Sequence, residues 1–297
     1  MSAQELGGQD LSGQDLSDQD LSGQDLSGQG PSQPGTRALI FDCDGVLADT
    51  ERDGHLPAFN QTFAEAGVPI HWSQEEYGHL LAIGGGKERL ASVFTPVFVE
   101  TAGLPTEPDE QKALIAAWHK TKTAHYTEMV AAGFLPARPG IARIVEEASA
   151  RGWRLAVAST SAEPSVRAVL EHAVGVDRAR DFVVFAGDIV PAKKPAPDIY
   201  LLALERLGLG ADDAIVVEDS ANGLRAALGA GLRTVVTVSS YTTDEDFTGA
   251  ALVVTSLGDP TEPTKVLADP LGLDPTDEVH LGDLERILTE SERPRVP

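Results

Sequence analysis

RALIFDCDGVLADT, residues 37–50, decides how this chain folds. Its apolar run ALIF, β-leaning in residue type, predicts a buried strand that ends on two aspartates, Asp42 and Asp44, one residue apart. Open α/β sheets bind ligands just beyond the carboxyl ends of their strands, where loop backbone is free to make contacts. Residues i and i+2 share a face, so the two carboxylates converge. Gly45 follows at once and lets the chain turn, so Asp44 can offer its backbone carbonyl as well as its side chain. That donor set suits Mg²⁺. Calcium loops also open on D-x-D, but their glycine comes later and they lie between helices.

Three further pieces of a phosphate-handling site follow, each after its own apolar run. RLAVASTS, residues 154–161, delivers Ser159 and Thr160, with Ser161 beside them, to a loop before Pro164 starts a helix. Hydroxyls and free amides in such a loop can hold a phosphate, although a Ser/Thr cluster there is more often a helix cap. In KKPAPDIY, residues 193–200, Pro195 and Pro197 stiffen the chain and so aim Lys194, which can neutralise a phosphoryl oxygen. AIVVEDSANGLRAA, residues 214–227, is a strand ending in Glu218 and Asp219 and then a small-residue loop into a helix. With Asp42 and Asp44 these make four carboxylates, and a divalent cation is needed to hold such like charges together.

The rest of the chain frames this site. From residue 138 to about 254, strand-like and helical runs alternate, which predicts an α/β doubly wound parallel sheet of Rossmann-like type. Residues 51–133 instead carry leucines, alanines and aromatics at helical spacing and predict an inserted all-helical cap, hinged near residues 48–51 and 133–138. The catalytic core is then residues 37–50 and 134–258, followed by a proline-rich tail, residues 259–297, with one amphipathic helix near 277–290. Residues 1–36 repeat GQDLS with one leucine per period and no basic residue before Arg37, which predicts disorder. They match neither a transit peptide nor a secretory signal, so a cytoplasmic protein is expected. The balance of 23 Lys+Arg against 46 Asp+Glu, a net charge of −23, argues against nucleic acid or a membrane as partner. The single Cys43 excludes an internal disulfide. A monomer is expected.

The order DCDGVL, Ser159 loop, Lys194 and EDS resembles the four motifs of the haloacid-dehalogenase superfamily of phosphotransferases. Within it the chain is similar to the CbbY group of sugar-bisphosphate phosphatases from about residue 37 to 259, through DTERDGH (49–55), EEYGHLLAIGGGKERL (75–90), RPGI (138–141) and YTTDEDF (241–247). The resemblance implies that Asp42 is the nucleophile and Asp44 the acid and base. It also implies Mg²⁺ on Asp42, the Asp44 carbonyl and Asp219, with Glu218 orienting its waters and Lys194, Ser159 and Thr160 offsetting charge. Glycines before a helix make an anion nest, and Lys87 and Arg89 beside Gly84, Gly85 and Gly86 would clamp a second phosphate. By resemblance this is the substrate-selecting loop, and Glu51, His55 and Tyr77 touch the sugar. The implied substrate is xylulose-1,5-bisphosphate, an inhibitory by-product of the carbon-fixing enzyme. A phosphosugar mutase of the β-phosphoglucomutase type shares all four motifs and is the alternative.

Overall fold

Apolar on both faces, the ALIF run forms β1 (Ala38–Phe41), an interior strand of the computed structural model, which describes residues 36–290. The repeats and their expected disorder lie outside the described residues. β1 pairs in parallel with β2 (Arg154–Ser159) on one side and β4 (Ala214–Glu218) on the other. β3 (Phe182–Ala186) extends the sheet beyond β2, and β5 (Arg233–Thr237), β6 (Leu252–Val254) and β7 (Val266–Ala268) extend it beyond β4, in the order β3-β2-β1-β4-β5-β6-β7. Only β7 among these runs antiparallel.

Period-two alternation sends each strand's residues to two separate cores. Leu39, Phe41, Leu155, Val157, Ile215 and Val217 meet α6 (Ile141–Ala150) and α7 (Glu163–Val174), which short α8 (Val176–Ala179) follows. Ala38, Ile40, Ala156, Ala158 and Val216 meet α9 (Asp198–Leu207) and α10 (Ala221–Gly229) on the opposite face. Phe41 stands level with Val157 and Val217, so the loops after β1, β2 and β4 leave the sheet at one edge. The doubly wound reading holds.

Residues after β1 leave as a wide helical turn, Glu51–His55, that runs directly into α1 (Leu56–Glu65). There follow α2 (Gln74–Leu80), α3 (Gly86–Ser92), α4 (Pro96–Thr101) and α5 (Pro108–Ala131). These helices close on an aromatic cluster of their own, with Phe63 and Trp72 edge to face at 4.8 Å and Trp118 packed on Phe63. Ser73 and Glu76 form a reciprocal capping box that starts α2. The chain returns beside its point of departure, where Ala48 bridges Ala137 and the Arg138 amide donates to the Leu47 carbonyl at 2.9 Å.

Beyond residue 258 the chain carries an edge strand as well as the expected helix. Val266–Ala268 adds the antiparallel edge strand, and Leu281, Leu284, Ile287 and Leu288 of α11 (Leu281–Glu290) are buried in the same core as α6 and α7. A three-residue strand carries too little pattern to be seen in sequence. No helix among the described residues is long and apolar enough to cross a membrane.

Candidate active site

At the shared edge, Lys194 is held by three acceptors. Its Nζ donates to Asp42 Oδ1 at 2.8 Å, to Glu218 Oε1 at 2.6 Å and to the Ala158 carbonyl at 2.9 Å, and it lies 4.9 Å from the centre of the Tyr200 ring. The Tyr200 hydroxyl also donates to Glu218, which is fully buried. Glu218 thus anchors the lysine. One oxygen each from Asp42, Glu218 and Asp219 lies within 4.8 Å of the others. Burial pushes the Asp42 carboxyl up to about 7 against the pull of Lys194, and burial with Asp42 and Glu218 nearby pushes Asp219 well up. The cluster is short of positive charge, and hard carboxylate oxygens are the donors Mg²⁺ prefers. Asp42, Asp219 and the Asp44 carbonyl are the groups that could hold such a cation. Gly45 is required here, since its φ is +79° and a Cβ would run into the Asp219 carboxylate.

The two carboxylates do not converge as the i, i+2 spacing predicts: the Asp44 side chain is turned from that cluster toward Thr50 and His55, at the head of the helices inserted after β1. It accepts from Thr50 Oγ1 at 2.6 Å, from His55 Nε2 at 2.9 Å and from the Ser161 hydroxyl. Behind it, Lys122 Nζ lies 2.7 Å from His55 Nδ1. An ammonium can only donate, so Nδ1 is the acceptor and His55 presents Nε2–H to Asp44. Burial alone would raise the Asp44 carboxyl, but His55 and the hydroxyls of Ser161 and Thr50 hold it well below the ordinary range. Burial draws Lys122 down to about 8. The His55 ring lies 4.0 Å from that of Tyr126, which fixes its plane.

Most of the predicted residues line one cleft of about 660 Å³: Asp42, Asp44, Glu51, His55, Gly84, Gly85, Gly86, Arg89, Ser159, Thr160, Ser161, Lys194 and Asp219. Two do not. Tyr77 has no exposed surface, and its hydroxyl donates to Glu51 Oε2 at 2.5 Å and accepts from Arg89 at 2.7 Å. It supports the cleft wall from behind instead of reaching a sugar. Lys87 points out of the cleft into an adjoining hollow and pairs with Asp188, while its neighbour Glu88 pairs with Lys193 at 2.9 Å. Arg89 is buried and shared with Glu51 and the Ile83 carbonyl, so its charge is already partly matched. Ser159 accepts from the Ser161 amide at 3.1 Å and so shapes its own loop. Sequence reasoning missed Thr50, Lys122 and Tyr200. Lys122 carried no signal of its own, because its reach to His55 depends on how α5 is phased against the turn at residues 51–55.

The comparisons with known proteins agree with this geometry. The model of haloacid dehalogenase-like hydrolases matches residues 36–231. A CBBY-like protein of Arabidopsis thaliana is 48% identical over 226 residues, spanning 76% of this chain and 70% of its own. The plasmid-borne protein CbbY of Cupriavidus necator is 48% identical over 228 residues, 76% of this chain and 88% of its own. Among solved structures, CbbY from Rhodobacter sphaeroides in complex with phosphate has 43% identity and a TM-score of 0.67, covering 74% of this chain and 94% of that one. A variant of the same protein was solved in complex with xylulose-(1,5)bisphosphate, at the same identity and TM-score. Strand register, lysine anchorage and sequence identity converge, and the chain belongs to the haloacid dehalogenase-like hydrolases, within their CbbY group.

Proposed function

We propose that this hydrolase is a Mg²⁺-dependent sugar-bisphosphate phosphatase that works through a phosphoaspartate on Asp42 and removes the 1-phosphate of xylulose-1,5-bisphosphate. The observation that carries the reading is the pair of oppositely directed aspartates. Asp42 faces Lys194 and the acidic cluster, and Asp44, two residues on, faces His55 of the cap. A nucleophile and an acid-base group are thereby held on two sides of one cleft.

Asp42 attacks phosphorus in line, and the bond from phosphorus to the sugar oxygen breaks as Asp44 delivers a proton to that oxygen. His55 and the hydroxyls of Ser161 and Thr50 favour the ionised Asp44 of the unliganded site; a phosphoester dianion entering beside it raises its proton affinity, and Asp44 takes up from solvent the proton that it then delivers. The Asp44 carboxylate then takes a proton from water, whose oxygen attacks the phosphoaspartate, releases phosphate and restores Asp42. Lys194 and the Ser159 loop offset charge on the phosphoryl oxygens throughout. Mg²⁺, when bound by Asp42, Asp219 and the Asp44 carbonyl, supplies further charge neutralisation. The substrate assignment is supported by the solved relative that holds xylulose-(1,5)bisphosphate, together with a cleft large enough for a sugar phosphate.

Inorganic phosphate release from xylulose-1,5-bisphosphate, with and without Mg²⁺, tests the reading. The expected result is release that needs the metal and is abolished in Asp42→Asn. An isomerised sugar phosphate without free phosphate would favour the mutase chemistry. Release at the normal rate by Asp42→Asn would remove the nucleophile assignment.

A further inference from the structure

The RPG turn, residues 138–140, is where the chain re-enters the core from the cap, and nothing in the chemistry above uses it. Its arginine is bonded in an unusual way. One terminal nitrogen of Arg138 donates to the carbonyls of Gly45 and of Thr237, the latter at 3.0 Å. The other donates to the carbonyls of Val238, at 2.7 Å, and Thr255. Both hydrogens on each terminal nitrogen are thus spent on main chain drawn from three separate segments: the loop after β1, the end of β5 and the end of β6. Among the described residues no carboxylate is hydrogen-bonded to this guanidinium. A surface arginine gains its stability from water or an acid, whereas this one is committed to backbone position.

Two features hold Arg138 itself. Pro139 restricts the arginine to extended backbone, and Gly140, at φ +84°, packs so closely that a Cβ would press on Leu257 and on the Gly258 carbonyl. The arginine's own amide donates to the Leu47 carbonyl at 2.9 Å. The loop it grips is otherwise closed on itself, with Gly45 N bonded to the Ala48 carbonyl and Leu47 N to the Cys43 carbonyl, each at 2.9 Å. Its Gly45 carbonyl lies in the Gly45–Val46 peptide, one peptide beyond the Asp44 carbonyl.

We infer that Arg138 is a positioning residue for the catalytic loop: its grip on the Gly45 carbonyl fixes the turn after Asp44 and keeps Asp42 and Asp44 directed to opposite sides of the cleft. The inference deepens the phosphatase reading and rests on it. Lysine cannot substitute, because its donors radiate from one nitrogen and cannot span acceptors set two by two around a planar fork.

The test is Arg138→Lys beside Arg138→Met, with p-nitrophenyl phosphate as substrate and amide hydrogen exchange as the second readout. Misplacing a reacting group by about 1 Å can cost on the order of 100-fold, so kcat is expected to fall roughly 10–100-fold in both variants. KM should stay within about twofold of wild type, the signature of lost transition-state positioning. Exchange should quicken at residues 45–48 while β2 keeps its protection. Wild-type kcat in Arg138→Lys, or a loss of activity with unchanged exchange at residues 45–48, overturns the inference. Should neither variant fold, the wild-type protein decides: the Gly45 and Leu47 amides must exchange as slowly as those of β1, and fast exchange there refutes the pinning. Failure of the wild-type enzyme to turn over any phosphoester would count against the phosphatase reading and leave the exchange result to judge Arg138.

Discussion

Lys122 sits where an ammonium is costly and stays because His55 needs it. Burial lowers it to about 8 from an ordinary value of 10.5. Each pKa unit is worth about 1.4 kcal/mol, so keeping the charge at pH 7 costs the fold roughly 3 kcal/mol. Below pH 8 the folded and unfolded chains both carry the proton and the penalty is whole. Between 8 and 10.5 the folded chain releases its proton while the unfolded chain keeps it, so wild-type stability rises with pH. Lys122→Met removes the buried charge and loses the hydrogen bond to His55, a net gain of about 1–2 kcal/mol at pH 7. Urea denaturation should show the variant more stable than wild type at pH 7, with the gap closing toward pH 10, while its kcat falls. A variant less stable at pH 7 would mean that the lysine is held for structure. At this scale Asp42, Asp44, Asp219 and Lys194 were readable because each stands next to a strand end or a proline. Lys122 was not, since nothing within α5 distinguishes it from its exposed neighbour Lys120.

Elements convert that local chemistry into a site by register. β1 pairs with β2 and β4 so that Val157, Phe41 and Val217 stand abreast, and each following loop opens at the same edge. The strands were legible because both of their faces are buried, which demands continuous apolar runs. The last helix was legible only as an amphipathic stretch, for the converse reason: one apolar stripe on ten residues shows that something covers it, but not what. Its stripe is the lid of the α6–α7 core, with Leu284 fully buried. Leu284→Ala should therefore cost about 2–5 kcal/mol in chemical denaturation, as core truncations do. A loss below about 0.5 kcal/mol, the surface level, would show the helix to be a dispensable tail after all. The α3 loop is legible only in part. Its glycines line the cleft, yet Lys87 is spent on Asp188 in the loop after β3, an exposed pair worth about 1 kcal/mol or less. A second phosphate can outbid so weak a partner. Lys87→Ala should then raise KM for a sugar bisphosphate well above its effect on a monophosphate, and equal effects on both would leave Lys87 as a latch alone.

The molecule as a whole carries a net charge of −23 and acts on an anion. Composition made this tension visible, but not how it is resolved, because the placement of charge depends on the fold. Lys194, Lys122 and Arg89 are all withdrawn from the surface into the cleft and its wall, each set against carboxylates or a ring nitrogen. Paired and buried, they project little field into solvent, and the outer surface stays repulsive. Salt screens exposed charges over a Debye length of about 30 Å at 0.01 M and about 8 Å at 0.15 M. Raising sodium chloride across that range at constant Mg²⁺ should raise kcat/KM roughly two- to fivefold by damping the long-range repulsion, with kcat at saturation unchanged. An enzyme steered by an exposed basic rim would respond in the opposite sense. A fall in kcat/KM with salt would therefore mean that the cleft's cations reach beyond its mouth, and that the acidic surface does not govern encounter.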